Sequence, residues 1–422
     1  MVVLSKYQVW AEKLFKYTIL SYPFFVLLGF HRESNWIAGI LCVLFLYFAV
    51  RHGPKKIRLL KRDQLFILAI SVPLFLSFVS ILWSVDMHKG IKSVETKALL
   101  FILPIISLIP QVKKISLDSI LKSFLIATLM ACIFGSISGF LQYLETGDSG
   151  FLYSDNLAYA TQSQAIYLSI SVNLSFIIII YLFENGRLKL AYLLAAGLFL
   201  IIMSFLLAAR LSMLAGFAII GLYSLYKLKS TPLKVRLTVL IGFIVLALSL
   251  SIVFPKTIGR FRSLASSFNY SFDNSNGVNH FNGEISPENW NGLTLRLAIW
   301  QCGLELVAEN LWLGIGIGDY KQALIDKYQE KKFKYALQQC FGIHNQYLYY
   351  LLTTGFIGIV LFLYSFYHIS LKAFQNKNYL YLLLLSVFLV SFITESVLNK
   401  FIGVFPYAYL LTFSFSLSKN RN

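Results

Sequence analysis

The side chains in this sequence best suited to chemistry are a set of arginines and one histidine. Arg210, Arg260, Arg262, Arg296 and His344 lie at the ends of apolar runs or in the long hydrophilic stretch between two of them. A guanidinium is planar, always charged and matched in shape to two phosphate oxygens. An imidazole titrates near neutral pH and can take or give a proton. Together they suit a reaction at an anionic group in which histidine moves the proton. Each also has a plainer reading. Arg210, in "FLLAARLSMLAG", joins two apolar runs with almost no loop. It is either a snorkelling anchor of a tight hairpin or an anion ligand at the lipid interface. Arg296, in "TLRLAIWQ", also fits a solvated helix face, and Arg260 and Arg262, in "TIGRFRSL", also fit interface anchors. His344 and Asn345, in "FGIHNQYL", stand at the lip of an apolar run, where Asn345 either caps the helix or joins the site.

The elements that must position these groups are membrane helices. The chain is 57% hydrophobic and 13% charged, whereas a soluble domain carries about 45–50% apolar and about 25% charged residues. Apolar runs of the roughly 17–25 residues needed to cross a bilayer recur from end to end. The net charge of +18 is spread in short clusters between those runs. That pattern suits anionic lipid headgroups and topology signals, and argues against a nucleic-acid partner. The expected fold is an all-α polytopic membrane protein with about 12 transmembrane helices. They fall near 17–30, 35–50, 64–84, 95–110, 120–143, 164–183, 188–207, 212–226, 237–254, 347–368, 379–393 and 401–417. Lys6, Lys13 and Lys16 precede the first run with no small-residue cleavage site after it, so it reads as a retained helix.

Lysine and arginine decide the orientation. "RHGPKKIRLLKRD", "QVKKISLD", "ENGRLK", "YKLKSTPLKVR" and "KAFQNKN" alternate with poorly basic loops such as "LETGDSGFLYSDNLAYATQ" and "LNKF". Basic loops remain cytoplasmic, which puts both termini there. Three units follow: a bundle of about nine helices over 1–254, a large extracytoplasmic loop over 255–346, and about three helices over 347–422.

Within that loop, "SSFNYSFDNSNGVNHFNGEISPENWNG" reads as irregular chain. "LTLRLAIWQCGLELVAEN" has Leu295, Ile299, Leu304 and Val307 at helical spacing, and "DYKQALIDKYQEKKFKYALQQC" forms a second amphipathic helix. Its Lys327, Lys331, Lys332 and Lys334 either meet an anionic acceptor or form a solvated basic face. Cys302 and Cys340 can pair if the loop lies in an oxidising compartment, while Cys42 and Cys132 read as packing residues. "GIGIGD" mimics a phosphate loop, but it follows a helix and lacks the lysine, so it reads as a turn. No Cys/His spacing suits a metal, no paired-aspartate motif suits Mg²⁺, and no cofactor is expected.

"TLRLAIWQCGLELVAENLWLGIGIGDY", followed by "HNQYLYYLLTTGFIGIVLFL", resembles the signature region of the O-antigen ligase and polymerase superfamily, and "FLLAARLSMLAG" resembles its small-residue–arginine hairpin. The resemblance implies a GT-C fold in the bacterial inner membrane, with the site facing the periplasm. It implies an undecaprenyl-diphosphate-linked glycan as donor, a lipid A–core type acceptor, metal-free transfer and inversion at the anomeric carbon. By the same resemblance Arg210 and Arg296 hold the diphosphate, His344 acts at the reacting centre, and Glu395 in "FITESVLN" matches an acidic position. Three functions stay open: a ligase, a polymerase extending the lipid-linked glycan, and a transporter without covalent chemistry. A transporter calls for charged groups in mid-span or matching broken helices, and the sequence offers few of the former and no inverted repeat.

Overall fold

The computed structural model describes residues 6–52, 61–227 and 292–418, with the single positions Ile241, Ser249, Phe272 and Trp290. Among these residues the chain is helical without a strand. In chain order the helices are α1 (Lys6–Leu27), α2 (His31–His52), α3 (Lys61–Val79), α4 (Met87–Thr96), α5 (Leu99–Ile106), α6 (Leu117–Thr146), α7 (Ser154–Tyr159) and α8 (Ala165–Glu184). They continue with α9 (Leu190–Leu207), α10 (Arg210–Lys227), α11 (Gly292–Glu309), α12 (Tyr320–Glu330), α13 (Lys334–Gln339), α14 (Gln346–Gln375), α15 (Tyr379–Ser391) and α16 (Phe401–Leu417).

Local chemistry sets several of the boundaries. Ser116 caps α6 by accepting from Ser119 N at 3.2 Å, and Gly147 closes it in the left-handed conformation. Asp86 caps α4 by accepting from Lys89 N at 3.0 Å. Most of α8 and nearly all of α16 are buried, so these two helices form the middle of the bundle. A helix apolar all round requires such a position. The other helices expose Leu, Ile, Phe and Val in rows on one side, as a lipid-facing surface does.

Among the described residues, six helices are long and apolar enough to cross a membrane, and three shorter apolar helices accompany them. This is a multi-pass membrane protein. The expected span at 237–254 lies outside the described residues apart from Ile241 and Ser249. The run at 95–110, expected as one span, is divided: α4 ends at Thr96, and α5 has only 8 residues. At 1.5 Å per residue α5 alone falls well short of a bilayer. Lys97, at the division, is fully buried.

Among the described residues, basic side chains of three loops and helix ends pair with acidic ones at one end of the bundle. Arg187 pairs with Asp118 at 3.0 Å, Lys114 with Glu12 at 2.7 Å and Lys227 with Glu184 at 3.1 Å. The opposite helix ends carry α4, α7, α11–α13 and the connections at 28–30 and 392–400.

The second amphipathic helix is two, α12 and α13, separated by a turn with Lys332 at positive φ. In α11 the buried positions include Leu295, Ile299 and Val307 as the spacing predicts, whereas Leu304 is exposed. Cys302 and Cys340 are both free, the first buried and the second exposed. α14, expected as one continuous run, breaks at Gly355, whose φ of 66° and close approach to the Trp312 carbonyl leave no room for a side chain. The "GIGIGD" turn fills the break. Ile315 N donates to Leu352 O at 2.8 Å, Gly316 N to Thr353 O at 3.1 Å, and Phe356 N to Leu311 O at 2.8 Å. Backbone groups freed by the break are thereby satisfied inside the protein, as an apolar surrounding demands. Asp319 completes the joint by accepting from Val85 N at 2.7 Å and Asp86 N at 2.9 Å.

Candidate functional site

Arg210 opens α10 directly after a reversal at Ala208, which caps α9 with φ 49°. The hairpin is held from below. Asn173 of α8 donates to Ser212 O at 2.7 Å and Ser212 Oγ at 2.9 Å, and Ser169 donates to the same hydroxyl at 3.0 Å. Asn173 packs on Gly216, where a side chain would collide with it. A satisfied polar cluster between two apolar helices fixes their register, and with it the height of Arg210.

Arg296 lies one turn into α11. Its Nη1 donates to Gly292 O at 2.8 Å and its Nε to Thr394 O at 3.3 Å, which aims the guanidinium across the start of the helix. A Cβ placed on Gly292 would sit 3.5 Å from Nη2 of Arg210 and 3.5 Å from Nη1 of Arg296. At most twice that distance separates the two guanidinium groups. Two residues far apart in sequence thus share one glycine-floored space at a helix N-terminus, an arrangement suited to an anion with more than one charge.

His344 is held from both sides of the chain. Trp300 of α11 donates from Nε1 to Ile343 O at 3.0 Å, and the Ile343 side chain rests on Gly303. Asn345 caps α14 by accepting from Leu348 N at 2.9 Å, and Gln346 N donates to Phe392 O at 2.8 Å. Between these anchors His344 adopts φ 46°, a left-handed conformation that costs about 1–3 kcal/mol and tends to occur where geometry serves function. Its Nδ1 lies 3.0 Å from Oε2 of Glu395. The histidine side chain is 28% exposed and the glutamate 9%.

Burial works against a charge on Glu395, but the His344 hydrogen bond, with Arg296 and Lys400 nearby, outweighs it and holds the carboxyl below its ordinary value. Burial likewise lowers Arg296 while Glu395 acts the other way. Tyr320 of α12, half-buried, is pushed up to about 12 by burial and then by Glu395, so it stays a neutral phenol.

Arg210, Arg296, His344 and Glu395 therefore converge, although they come from four separate segments. Asn345 adjoins them with its oxygen committed to the cap. Arg260 and Arg262 lie outside the described residues. Lys327 and Lys331 do not face an open acceptor path. Lys327 pairs with Glu305, Glu309 and Glu330, and Lys331 with Glu305, so their charge braces α11 against α12.

Residues 195–363 match the family model described as O-antigen ligase. The chain carries an O-antigen ligase family domain. No curated protein matches the sequence. The family domain contains Arg210, Gly292, Arg296 and His344, whereas Glu395 comes from beyond its last matched residue.

Several groups around this site escape a reading of the sequence. Lys400 donates to Gln164 Oε1 at 2.9 Å and lies 5.6 Å from the Tyr167 ring. Tyr320 meets Tyr349 edge-on at 5.0 Å, and the buried ammonium of Lys97 sits 5.4 Å from the far ring and 2.9 Å from Ser93 Oγ. Lys97 has a signal in sequence, a lone lysine at the start of the apolar run "KALLFILP". Lys400 and the tyrosines have none, because basic and aromatic residues are ordinary at a membrane interface.

Proposed function

We propose that this chain is a metal-independent, inverting membrane glycosyltransferase that moves a glycan from undecaprenyl diphosphate to a hydroxyl of a lipid A–core type acceptor. The observation that carries the reading is the pair of guanidinium groups facing each other across Gly292, beside an imidazole hydrogen-bonded to a buried carboxylate.

In this mechanism Glu395 accepts from Nδ1–H of His344, which leaves Nε2 as the basic nitrogen. Nε2 takes the proton of the acceptor hydroxyl as its oxygen attacks the anomeric carbon. The bond from that carbon to the diphosphate oxygen breaks, and its electron pair leaves with the diphosphate. Arg210 and Arg296, fixed in a partly dry site, stabilise the charge that develops there without having to reorganise. A single displacement inverts the anomeric centre. Glu395 also holds the charge on the imidazolium that forms.

The reading places the site at the periplasmic face of the bacterial inner membrane with both termini cytoplasmic, which the distribution of lysine and arginine supports. A GT-C architecture accords with a multi-pass helical bundle bearing its site at one end. Purified protein supplied with a lipid-linked glycan and a lipid A–core acceptor should form the joined product, and Arg210→Ala, Arg296→Ala and His344→Ala should each abolish it. A second reading, polymerase, uses the same clamp and the same base. Lengthening of the glycan on its carrier lipid without any other acceptor would establish the polymerase and refute the ligase.

A further inference from the structure

A glycosyl transfer of this kind needs two lipid-anchored partners, and Arg210 and Arg296 serve only the donor diphosphate. The lysines of α12 that the sequence offers to an anionic acceptor are neutralised by Glu305, Glu309 and Glu330. Lys332 and Lys334 are exposed, and no hydrogen bond or ion pair ties either to His344 or Glu395. Lys400 is different. It is exposed, it makes no salt bridge to a carboxylate among the described residues, and its hydrogen-bond partner is the neutral amide of Gln164. An ammonium has three donors, so two remain for a ligand.

The surroundings of Lys400 are built rather than incidental. Its Nζ lies over the ring of Tyr167, whose body is packed against the α16 start at Gly403. The Tyr167 hydroxyl is buried against the Glu395 carboxylate, which links the ring beneath Lys400 to the dyad. Lys400 stands five positions after Glu395 on the segment that joins α15 to α16, so the same short loop carries the carboxylate of the dyad and this cation.

We propose that Lys400, with Gln164 and Tyr167, forms a second anion subsite that takes a phosphate group of the acceptor substrate, an inference that rests on the glycosyl-transfer reading above. The phosphate is carried either by a lipid A–core acceptor or by a second lipid-diphosphate glycan. Lys400 sets which acceptor is held with its hydroxyl near His344.

Binding tests this without turnover. Full-length protein in phospholipid nanodiscs, its donor site filled with undecaprenyl diphosphate, is titrated with three probes: lipid A–core, the same molecule enzymatically dephosphorylated, and a lipid-diphosphate glycan. Wild type should prefer a phosphorylated probe, and Lys400→Gln should weaken that probe about ten-fold. Lys400→Arg should largely restore it. Binding of the dephosphorylated probe and of undecaprenyl diphosphate itself should not change. Dependence on Lys400 with lipid A–core identifies the ligase acceptor, and with the lipid-diphosphate glycan the polymerase acceptor. The subsite is refuted if wild type shows no preference for phosphate, or if Lys400→Gln leaves every probe unchanged. It is equally refuted if that variant weakens undecaprenyl diphosphate or the dephosphorylated probe to the same extent. Absence of glycan transfer would instead count against the catalytic reading and leave these titrations fully interpretable.

Discussion

His344 Nδ1 and Glu395 Oε2 lie 3.0 Å apart, one at the entrance of α14 and the other just past the end of α15. The carboxylate is also bonded by Ser396 N at 3.0 Å, so its orientation does not depend on the histidine alone. An imidazole whose Nδ1 is engaged in this way presents Nε2 to substrate, and the carboxylate stabilises the cation formed when a proton is taken.

Removing that carboxylate charge while keeping its shape should therefore damage the chemical step more than binding. Glu395→Gln is expected to lower kcat by about 10²- to 10⁴-fold with little change in the KM for donor. His344→Asn, which tolerates the left-handed backbone, should keep the melting temperature and lose turnover. Turnover near that of wild type in Glu395→Gln would show that the pair is structural only.

The space between the arginines gives a second expectation. Gly292→Ala adds a methyl at ordinary contact distance from both guanidinium groups and should be tolerated. Gly292→Leu fills the same space and should raise donor KM at least about ten-fold while thermal unfolding is unchanged. Arg210→Lys should lower kcat by about 10²-fold, because a point charge does not reproduce a planar fork. Kinetics on donor titrations at saturating acceptor separate these effects, and an active leucine variant would mean that the diphosphate sits elsewhere.

Acid should weaken the fold through the same glutamate. Its ordinary value is 4.5, and the folded protein holds it lower. The ionised form is thus favoured by folding, and that stabilisation is complete above pH 4.5 and lost as pH falls through the depressed folded value. Melting temperature in detergent should drop below pH 4.5, and Glu395→Gln should flatten the drop. Parallel curves for wild type and variant would assign the acid sensitivity to other groups.

Orientation can be read from a native reporter. Cys340 is exposed, whereas Cys132 and Cys302 are buried and Cys42 is half-buried. A membrane-impermeant maleimide added to cells with a permeable outer membrane should label Cys340, and Cys340→Ser should remove the signal. Labelling only after the inner membrane is opened would reverse the orientation of the site.

The membrane nature of the chain, the positions of its longest helices and the placing of Arg210, Arg296 and His344 at or near helix starts were legible in sequence, because each rests on local signals. A run of apolar residues is a helix across lipid wherever it is packed. An arginine at a hairpin or a histidine at a helix entrance is conspicuous among apolar neighbours. Tertiary contacts decided the rest. Nothing in "FITESVLN" distinguishes Glu395 from a surface acid until α15 ends beside the strained histidine 51 positions earlier. "KYQEKKFK" reads as a free basic face until α11 supplies Glu305 and Glu309. "TTGFIG" reads as continuous helix until the "GIGIGD" turn takes the hydrogen bonds that the break releases. Propensity and hydropathy act over neighbouring residues, so the sequence by itself determined where the long apolar helices lie and which side chains stand at their ends. Charge pairing, burial and the meeting of two guanidinium groups over one glycine act between distant segments, and only the packed bundle decided them.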